Sequence, residues 1–439
     1  MKKIYLISLG CARNLVDSEM MSSRITASGG VMCDNPDEAD VILINTCGFI
    51  EAAADESIQT ILDMARYKTD GNCRLLIVAG CLPERFGTEI ASELPEVDLF
   101  IGTGALEKIG HILKAPRQYG SCLLPDPNSA GFQKVGATRT LTPPHMSYLK
   151  IAEGCSKHCT YCIIPKLRGR HRSRPFHDIV SEARRLVAGG VKELVLVAQD
   201  TTAYGQDVPT AGGLDSLLEA LSDLSDRLWI RFMYGYPENI NPAIIRTVAD
   251  HANICPYFDI PIQHASDCVL KRMGRPGTED DLYRLFDSIR AVVPDAAFRT
   301  TVIVGFPGET DADFSRLLKF IERVRFDQLG GFLYSDFDDL PSHRLPDHVP
   351  PAVAKERYDA LMAVQQAVSL SINTGHVGRR ADVLIEEKVE PGLYVGRTRF
   401  QAPEVDGMTY VRGRNLVVGD FAGIKITDAF EYDLSGDAQ

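Results

Sequence analysis

The 439-residue sequence lacks any apolar run that approaches the roughly 18 residues of a membrane span. The apolar stretch after Met1, Lys2 and Lys3 has six residues, too few for the core of a secretory signal, so it predicts a first β-strand. Positive charge is also in deficit, with 47 Lys and Arg against 59 Asp and Glu and a net charge of −12. These absences argue against a membrane protein or a general nucleic-acid binder, and they predict a cytoplasmic protein.

The sequence does not have the marks of a disulfide framework. Eleven cysteines are an odd number, and they are spread over a long acidic chain. A chain that is 45% hydrophobic can bury several cores without such staples. The cysteines therefore indicate thiolates used in metal binding or catalysis in a reducing compartment.

Residues 1–135 alternate between short apolar runs and helical stretches, which predicts an N-terminal parallel α/β domain. The candidate strands are residues 3–9, 41–45 and 74–79, and one cysteine follows each of them. Ligands of open α/β sheets bind outside the carboxyl ends of the strands, which meet at one edge. We therefore expect these three cysteines, the N-terminal trio, to converge there: Cys11, Cys47 and Cys81.

Two further domains follow a segment at 121–144 that resembles a linker because it is rich in Pro, Gly, Ser and Thr. Residues 141–372 contain six strand candidates alternating with helical segments, at 148–151, 193–198, 229–234, 257–261, 299–304 and 328–334. This pattern predicts a partial or full (βα) barrel with its chemistry at the carboxyl ends of the strands. Residues 373–439 have short strands with Gly and Pro turns, typical of a small β-barrel.

The most specific motif is a CxxxCxxC loop directly after the first barrel strand, formed by the loop trio Cys155, Cys159 and Cys162. Three thiolates can hold three irons of a [4Fe–4S] cluster and leave the fourth iron open to an external ligand. A structural zinc site is the alternative, but tetrahedral zinc needs a fourth protein ligand, and His158 inside the loop is awkwardly placed to supply it.

The loop trio resembles the cluster motif of the radical S-adenosylmethionine (SAM) superfamily. The resemblance implies that SAM chelates the open iron and that one electron cleaves it to methionine and a 5′-deoxyadenosyl radical. It also implies SAM contacts near the ends of the barrel strands: Tyr161, Gln199, Gln263, Gly305 and Phe306.

The N-terminal trio carries a closer resemblance, to the radical SAM methylthiotransferases. Residues 8–19 (SLGCARNLVDSE), 45–50 (NTCGFI) and 79–82 (AGCL) match its three cysteine motifs, and 197–205, 259–266 and 304–310 match motifs of its barrel. The resemblance spans the chain and implies a C-terminal TRAM-type barrel, a second [4Fe–4S] cluster on the N-terminal trio that delivers sulfur, and SAM as both methyl donor and radical source. It further implies an external sulfur source and a one-electron reductant. The sequence marks no side-chain acid or base for catalysis.

Two branches of this family differ in substrate. Residues 48–50 with 56–58, 199–202 and 402–407 resemble the RimO type, which modifies the β-carbon of an aspartate in the twelfth small-subunit ribosomal protein. Residues 381–439 carry eleven acidic and six basic side chains, which suits a basic ribosomal protein, free or on the small subunit, better than RNA. A basic run could instead meet phosphate or a carboxylate, although we interpret it as a solvated loop: Lys166, Arg168, Arg170, Arg172 and Arg174.

Two alternatives stay open at this point: methylthiolation of tRNA adenosine by the same chemistry, and a non-catalytic iron–sulfur electron carrier or sensor. Three histidines have no metal spacing, and we expect them to be polar lining or surface: His158, His171 and His264. Five cysteines outside the motifs are expected to be packing residues: Cys33, Cys73, Cys122, Cys255 and Cys268. Residues 336–339 (DFDD) depart from the family pattern, so a family contact is not expected there.

Overall fold

A computed structural model describes residues 1–132, 141–208 and 212–439 of the chain. The last three residues of the predicted first domain and part of the predicted linker lie outside these ranges. Three regions follow one another along the chain: a parallel sheet with helices, a second set of parallel strands with helices, and a small closed barrel. This architecture confirms the α/β fold class with a C-terminal β-barrel. Among the helices in the described ranges, none combines the length and the apolar character needed to span a bilayer.

The N-terminal region is one six-stranded parallel sheet in the order β2-β1-β3-β4-β5-β6. Its strands are β1 Lys3–Ser8, β2 Val31–Met32, β3 Val41–Thr46, β4 Leu75–Gly80, β5 Leu99–Ile101 and β6 Cys122–Leu123. Its helices are α1 Ala12–Ala27, α2 Glu51–Ala65, α3 Cys81–Phe86, α4 Ile90–Glu93 and α5 Ile109–Ile112. Every residue of β3 is buried, as expected for a continuous apolar run in a covered parallel sheet. Because β6 pairs with β5, the predicted linker in fact begins inside the sheet.

The central region is a partial barrel of parallel strands. Two three-stranded sheets, β11-β10-β7 and β12-β13-β14, are joined by a bridge between Ile230 and Ile254. The strands are β7 Met146–Lys150, a short pair β8 Ala152–Glu153 and β9 Arg172–Ser173, then β10 Glu193–Val197, β11 Trp229–Phe232, β12 Tyr257–Asp259, β13 Ala297–Val304 and β14 Gln328–Leu333. The helices are α6 Ile164–Arg168, α7 Phe176–Ala188, α8 Leu214–Ser222, α9 Pro242–Asp250, α10 Asp267–Arg272, α11 Glu279–Val292 and α12 Asp311–Val324. All six predicted barrel strands are present.

Helix α13, Pro351–Thr374, packs Leu361 into the core of the central region, and the C-terminal region follows it as a closed five-stranded barrel in the order β15-β16-β17-β19-β18. Its strands are β15 Arg380–Glu390, β16 Leu393–Thr398, β17 Thr409–Arg412, β18 Phe421–Ala429 and β19 Leu434–Ala438. Strand β19 closes the barrel although its sequence LSGDA lacks the β-branched and aromatic residues that favour strands.

This barrel docks on the amino ends of the central strands. Arg397 of β16 pairs at 2.6 Å with Glu193, the first residue of β10. Tyr257, the first residue of β12, donates to Asp406 at 2.6 Å, and Tyr148 donates to Glu404 at 3.0 Å. The 402–407 motif therefore serves as a domain contact. The barrel therefore leaves the carboxyl ends of the central strands uncovered, and these are the ends where catalytic residues lie in (βα) barrels.

Candidate metal centre between two domains

The structure brings the N-terminal trio together at one edge of the first sheet. Cys11 precedes α1, Cys47 follows β3 and Cys81 opens α3. These side chains stand next to one another because β1, β3 and β4 are adjacent parallel strands that end in register. A Cβ on Gly10 would lie 2.8 Å from the Cβ of Cys47, so the loop before Cys11 approaches this closely because residue 10 is glycine.

The loop trio lies at the carboxyl end of β7. The N–H of Cys155 donates to Gly169 O at 3.0 Å, and the N–H of Cys162 donates to Cys159 O at 3.1 Å, so the loop curls back on itself. Gly154 starts the loop with φ +78°, and a side chain there would collide with Arg170 O. Burial raises the pKa of Cys162, and the charges of Cys159 and Cys155 lie close enough to raise it further.

Arg13 reaches from the N-terminal trio to the carboxyl ends of the central strands. Its Nε donates to Cys11 Sγ at 3.5 Å, and its Nη1 donates across the domain boundary to Ala198 O, just past β10, at 3.1 Å. Its guanidinium lies 4.4 Å from the ring centroid of Tyr234, beyond the end of β11. The same charge acts to lower the pKa of Cys162 in the loop trio. One side chain is thus in electrostatic reach of cysteines from both trios.

A network of buried charged side chains joins the two domains behind the N-terminal trio. Arg168 at the end of α6 donates to Asp17 Oδ2 at 2.5 Å and to Cys81 Sγ at 3.3 Å. Lys150 donates to Asp17 and, at 2.7 Å, to Glu153. Burial acts to raise the pKa of Glu153, but the charges of Lys150 and Arg168 lower it to about 2. Sequence reasoning missed this network because its members are far apart in the chain.

The solvated-loop interpretation of the basic run is wrong for most of its members. Arg168 and Arg174 are buried, and each pairs with a buried carboxylate, Asp17 and Glu182 respectively. Arg172 donates to backbone carbonyls, including Pro127 O at 2.9 Å. Lys166 and Arg170 are exposed. The buried acids require these partners, so the guanidinium groups are not free to bind phosphate.

The donor set of both trios fits an iron–sulfur cluster. Burial acts to raise the pKa of Cys11, but Arg13 and its neighbours bring it down to about 7, which favours the thiolate that a metal needs. Burial raises the pKa of Cys47 to about 11 and that of Cys162 to about 12, so metal binding there must release a proton. Within the described ranges no three His, Cys, Asp or Glu side chains converge on a single metal ion. In a [4Fe–4S] cluster each cysteine binds a different iron, so its cysteines do not need to converge on a single metal ion. The absence of a single-ion site from the described part of the chain therefore does not argue against a cluster.

Three of the residues predicted to contact SAM are near the loop trio in the structure: Tyr161, Phe306 and Gln199. Arg275 donates to the Tyr161 hydroxyl at 3.4 Å. Burial raises the pKa of Tyr161, and the charges of Cys159 and Cys162 raise it further. The Phe306 ring packs edge-on against Tyr161 with 6.4 Å between centroids. Gln199 donates to Glu153 at 2.7 Å, and its Oε1 is buried with no hydrogen-bond partner in the described part of the chain. That acceptor is free for a ligand donor.

The other two predicted contacts, Gln263 and Gly305, lie at neighbouring strand ends. Gln263 has φ +69° and pairs through its backbone with Thr301 and Ile303, both at 2.8 Å. The N–H groups of Gly305 and Phe306 both donate to Glu309, so this turn does not offer them to a ligand. None of these groups has a described contact with a cysteine of either trio.

Two predictions about residues other than the six motif cysteines need correction. His264 is fully buried, and desolvation lowers its pKa to about 3, so it is a neutral core residue rather than lining or surface. Cys268 is exposed on α10 and is not a packing residue, whereas Cys73 and Cys255 are buried as expected.

Comparisons with known proteins agree with this architecture. Residues 3–102 match the uncharacterized protein family UPF0004, residues 149–321 the radical SAM superfamily and residues 377–438 the TRAM domain. The fold resembles that of the radical SAM methyltransferase TsrM from Kitasatospora setae with tryptophan and a SAM analogue bound, with a TM-score of 0.61 and 12% identity over 84% of this chain and 89% of that one. A second TsrM structure, with cobalamin and a [4Fe–4S] cluster bound, gives 0.58 with 13% identity over 90% and 80%. The chain is a radical SAM enzyme with a TRAM barrel.

Closely similar relatives narrow this class. The ribosomal protein uS12 methylthiotransferase RimO of Desulfosudis oleivorans is 53% identical over the full length of both chains. The proteins of that name from Clostridioides difficile and Geobacter sulfurreducens are 48% and 45% identical, over at least 98% of each chain. The chain therefore belongs to the RimO family of radical SAM methylthiotransferases, which confirms the family resemblance, the transferase class and the use of SAM with [4Fe–4S] chemistry.

Proposed function

We propose that this chain transfers a methylthio group to the β-carbon of an aspartate in ribosomal protein uS12. Its relatives over the full length are named for that protein. The observation that carries the proposal is the position of Arg13, which donates to Cys11 of the N-terminal trio and to Ala198 O at the carboxyl end of β10, the end of the central strands where the loop trio lies. Transfer of sulfur to a radical formed at the other centre requires the two centres to be neighbours.

The N-terminal trio would hold the sulfur-delivering [4Fe–4S] cluster, and the loop trio would hold the cluster that binds SAM. Tyr161, Gln199 and Phe306 would line the SAM site, with Gln263 and Gly305 shaping its wall. When bound, the clusters and SAM supply the radical that opens the carbon–hydrogen bond and the sulfur and methyl that replace the hydrogen. Sulfur would come from an external source and electrons from a one-electron reductant.

The chain's own residues would orient and seal this site. Arg13 covers the Tyr234 ring and closes the gap between the domains with a bond to Ala198 O. Asp17, Lys150 and Arg168 fill the interface behind the cysteines with paired, buried charge. Exclusion of water protects a reactive radical from side reactions. We assign no side chain a proton-transfer role.

The substrate would be recognised through charge as well as through the site. The C-terminal barrel exposes Asp382, Glu387 and Glu390 on β15, and its net charge is negative. Such a surface complements a basic ribosomal protein, free or assembled in the small subunit, and repels RNA phosphate. Arg168 and Arg174 are buried in carboxylate pairs, so these two members of the 166–174 run are not available to contact the phosphates of a tRNA. Because ribosomes assemble and work in the cytoplasm, a ribosomal substrate supports the proposal that the protein acts there.

Anaerobic turnover with two substrates tests this proposal. The reconstituted protein is incubated with SAM, sulfide and reductant together with either uS12 or unmodified tRNA, and the products are analysed by mass spectrometry. We expect a methylthio adduct on one aspartate of uS12 and none on tRNA. Methylthio adenosine in tRNA with unmodified uS12 would refute the substrate assignment. Failure to release 5′-deoxyadenosine under these conditions would instead favour an electron carrier or sensor.

A further inference from the structure

Two arginines cross the domain boundary in opposite directions, and each donates to a sulfur of the N-terminal trio. Arg168 comes from the central domain and reaches Cys81 Sγ at 3.3 Å. Arg13 comes from the N-terminal domain, donates to Cys11 Sγ at 3.5 Å and to Ala198 O of the central domain at 3.1 Å. Two of the three sulfurs in this trio therefore receive a charged N–H donor.

The guanidinium of Arg168 is held firmly in place. It is buried, and its planar fork donates to Asp17 Oδ2 and to Asn14 Oδ1, both at 2.5 Å. Asp17 is itself shared with Lys150. An arginine fixed by two further acceptors loses little freedom when it binds a third, so its bond to Cys81 is pre-organised.

The sulfurs of the loop trio have different hydrogen-bond donors. In the described part of the chain, its sulfurs are approached by the backbone N–H of Lys157, 3.5 Å from Cys155, and by the Tyr236 hydroxyl, 3.7 Å from Cys159. Arg275 is nearby, but it donates to Tyr161 and to Pro261 O rather than to sulfur. Charged N–H···S bonds thus distinguish the N-terminal trio from the loop trio.

Such bonds have a direct electronic effect on a cluster. Reduction adds one negative charge, and hydrogen bonds and positive charge at the sulfurs stabilise the reduced form, which raises the reduction potential. Joining a carbon radical to sulfur forms a C–S bond and breaks the S–Fe bond. The sulfur brings an electron pair and the carbon one electron, so one electron is left over. The cluster that the N-terminal trio would hold would release this sulfur, so it would also have to accept the electron.

We propose that Arg13 and Arg168 are positioning residues that raise the reduction potential of the cluster on Cys11, Cys47 and Cys81, so that it accepts this electron. The inference rests on the proposed function, since it assumes that the N-terminal trio holds a cluster. Arg13 acts on Cys11 and Arg168 on Cys81, so each arginine contributes separately.

The test isolates this cluster in the full-length chain. Cys155→Ala, Cys159→Ala and Cys162→Ala together leave the N-terminal trio as the cluster site, and the protein is reconstituted anaerobically. Its iron content is measured, and its midpoint potential is determined by a redox titration followed by EPR. In this background Arg168→Met is compared with Arg168→Lys and with Arg170→Met, which removes an exposed arginine of the same run that has no described contact with a cysteine.

We expect about four irons in the parent and in all three variants. The midpoint should become more negative in Arg168→Met, shift less in Arg168→Lys, which keeps the charge, and stay unchanged in Arg170→Met. Because Arg168→Met leaves Asp17 with one cation fewer, the double variant Asp17→Asn/Arg168→Met removes the buried pair together and should show the same negative shift.

The outcomes separate the two proposals. A parent without iron would refute the cluster on the N-terminal trio and with it the proposed function. Iron in the parent with an unchanged or more positive midpoint in Arg168→Met would overturn this inference alone. Loss of iron from Arg168→Met, from Arg168→Lys and from the double variant would also overturn this inference. That result is expected if Arg168 serves only to hold the domain interface together.

Discussion

Arg85 of the N-terminal domain and Asp339 of the central domain form a two-bond ion pair across the domain interface. Arg85 Nη2 lies 2.7 Å from Oδ1 of Asp339, and Nε lies 3.1 Å from Oδ2. The same guanidinium donates to Gly48 O, next to Cys47, at 2.6 Å and lies 3.7 Å from the ring centroid of Phe337. The segment that departs from the family pattern therefore holds the Cys47 loop against the central domain.

Removal of this pair should destabilise the protein. Arg85 is 1% exposed and Asp339 26%, so Arg85→Met removes charged hydrogen bonds from a largely buried place and should lower the free energy of unfolding by about 2 kcal/mol. Lys166→Met is the matched control, because Lys166 lies 3.6 Å from the same carboxylate but is 52% exposed. The control should change stability by less than about 0.5 kcal/mol. Urea denaturation of both variants checks this, and equal effects would contradict it.

Gly154→Ala should damage the loop trio specifically. Residue 154 has φ +78°, and a methyl group there would collide with the carbonyl oxygens of Gly169 and Arg170. We expect the variant to lose about half of its iron, the share of one cluster. Gly190→Ala is the control, since Gly190 has φ +102° with open space around it. It should retain its iron at a cost of about 1 kcal/mol in stability, and parallel iron loss in both variants would show that backbone strain alone is responsible.

Iron content should divide between the trios. The reconstituted protein should carry about eight irons, and Ala at all three positions of either trio should leave about four. Cys33→Ala with Cys122→Ala removes two cysteines of the first domain outside the motifs and should leave the iron content unchanged. Colorimetric iron determination with EPR is the measurement. Near-complete loss of iron after replacement of one trio would mean that the two sites are not independent.

Stability should depend on pH through His264. Its folded pKa is about 3, lowered by burial, against 6.5 for the ordinary side chain. Below pH 6.5 the unfolded chain takes up a proton that the folded chain does not bind, so stability is lost as pH falls from 6.5 towards 3. Between pH 6.5 and pH 5 this group should account for about 2 kcal/mol.

His264→Asn removes the titrating group and keeps an oxygen near the atom that accepts the Ser266 N–H. The variant should lose about 2 kcal/mol less than the parent between these two pH values, measured by urea denaturation. His177→Asn, at an 81% exposed position, should follow the parent. The same pH dependence in His264→Asn and in the parent would contradict the assignment.

Local patterns in the sequence were sufficient for the sheets and for the placing of the cysteines. Strands β1, β3 and β4 are continuous apolar runs, and the rule that ligands lie at the carboxyl ends of parallel strands places Cys11, Cys47 and Cys81 together without knowledge of any distant contact. The barrel strands follow from the same alternation of strand and helix.

The arginines could not be predicted in this way. Arg168 donates to Asp17, which is 151 residues away in the sequence, and to Asn14, which is 154 residues away. No local pattern in the sequence distinguishes Arg168 from the exposed Arg170 two positions away. Arg85 likewise meets Asp339 across 254 residues. Charged residues are buried only where a partner exists, and the partner here belongs to another domain.

The most direct test of the account is whether the two clusters lie next to each other. EPR spectra of the reduced holoprotein are compared with those of the two variants in which one trio is replaced by Ala. Neighbouring centres should interact magnetically, so we predict a holoprotein spectrum that is split or broadened, with faster spin relaxation than either single-cluster variant. A holoprotein spectrum equal to the sum of the two variant spectra would contradict the account.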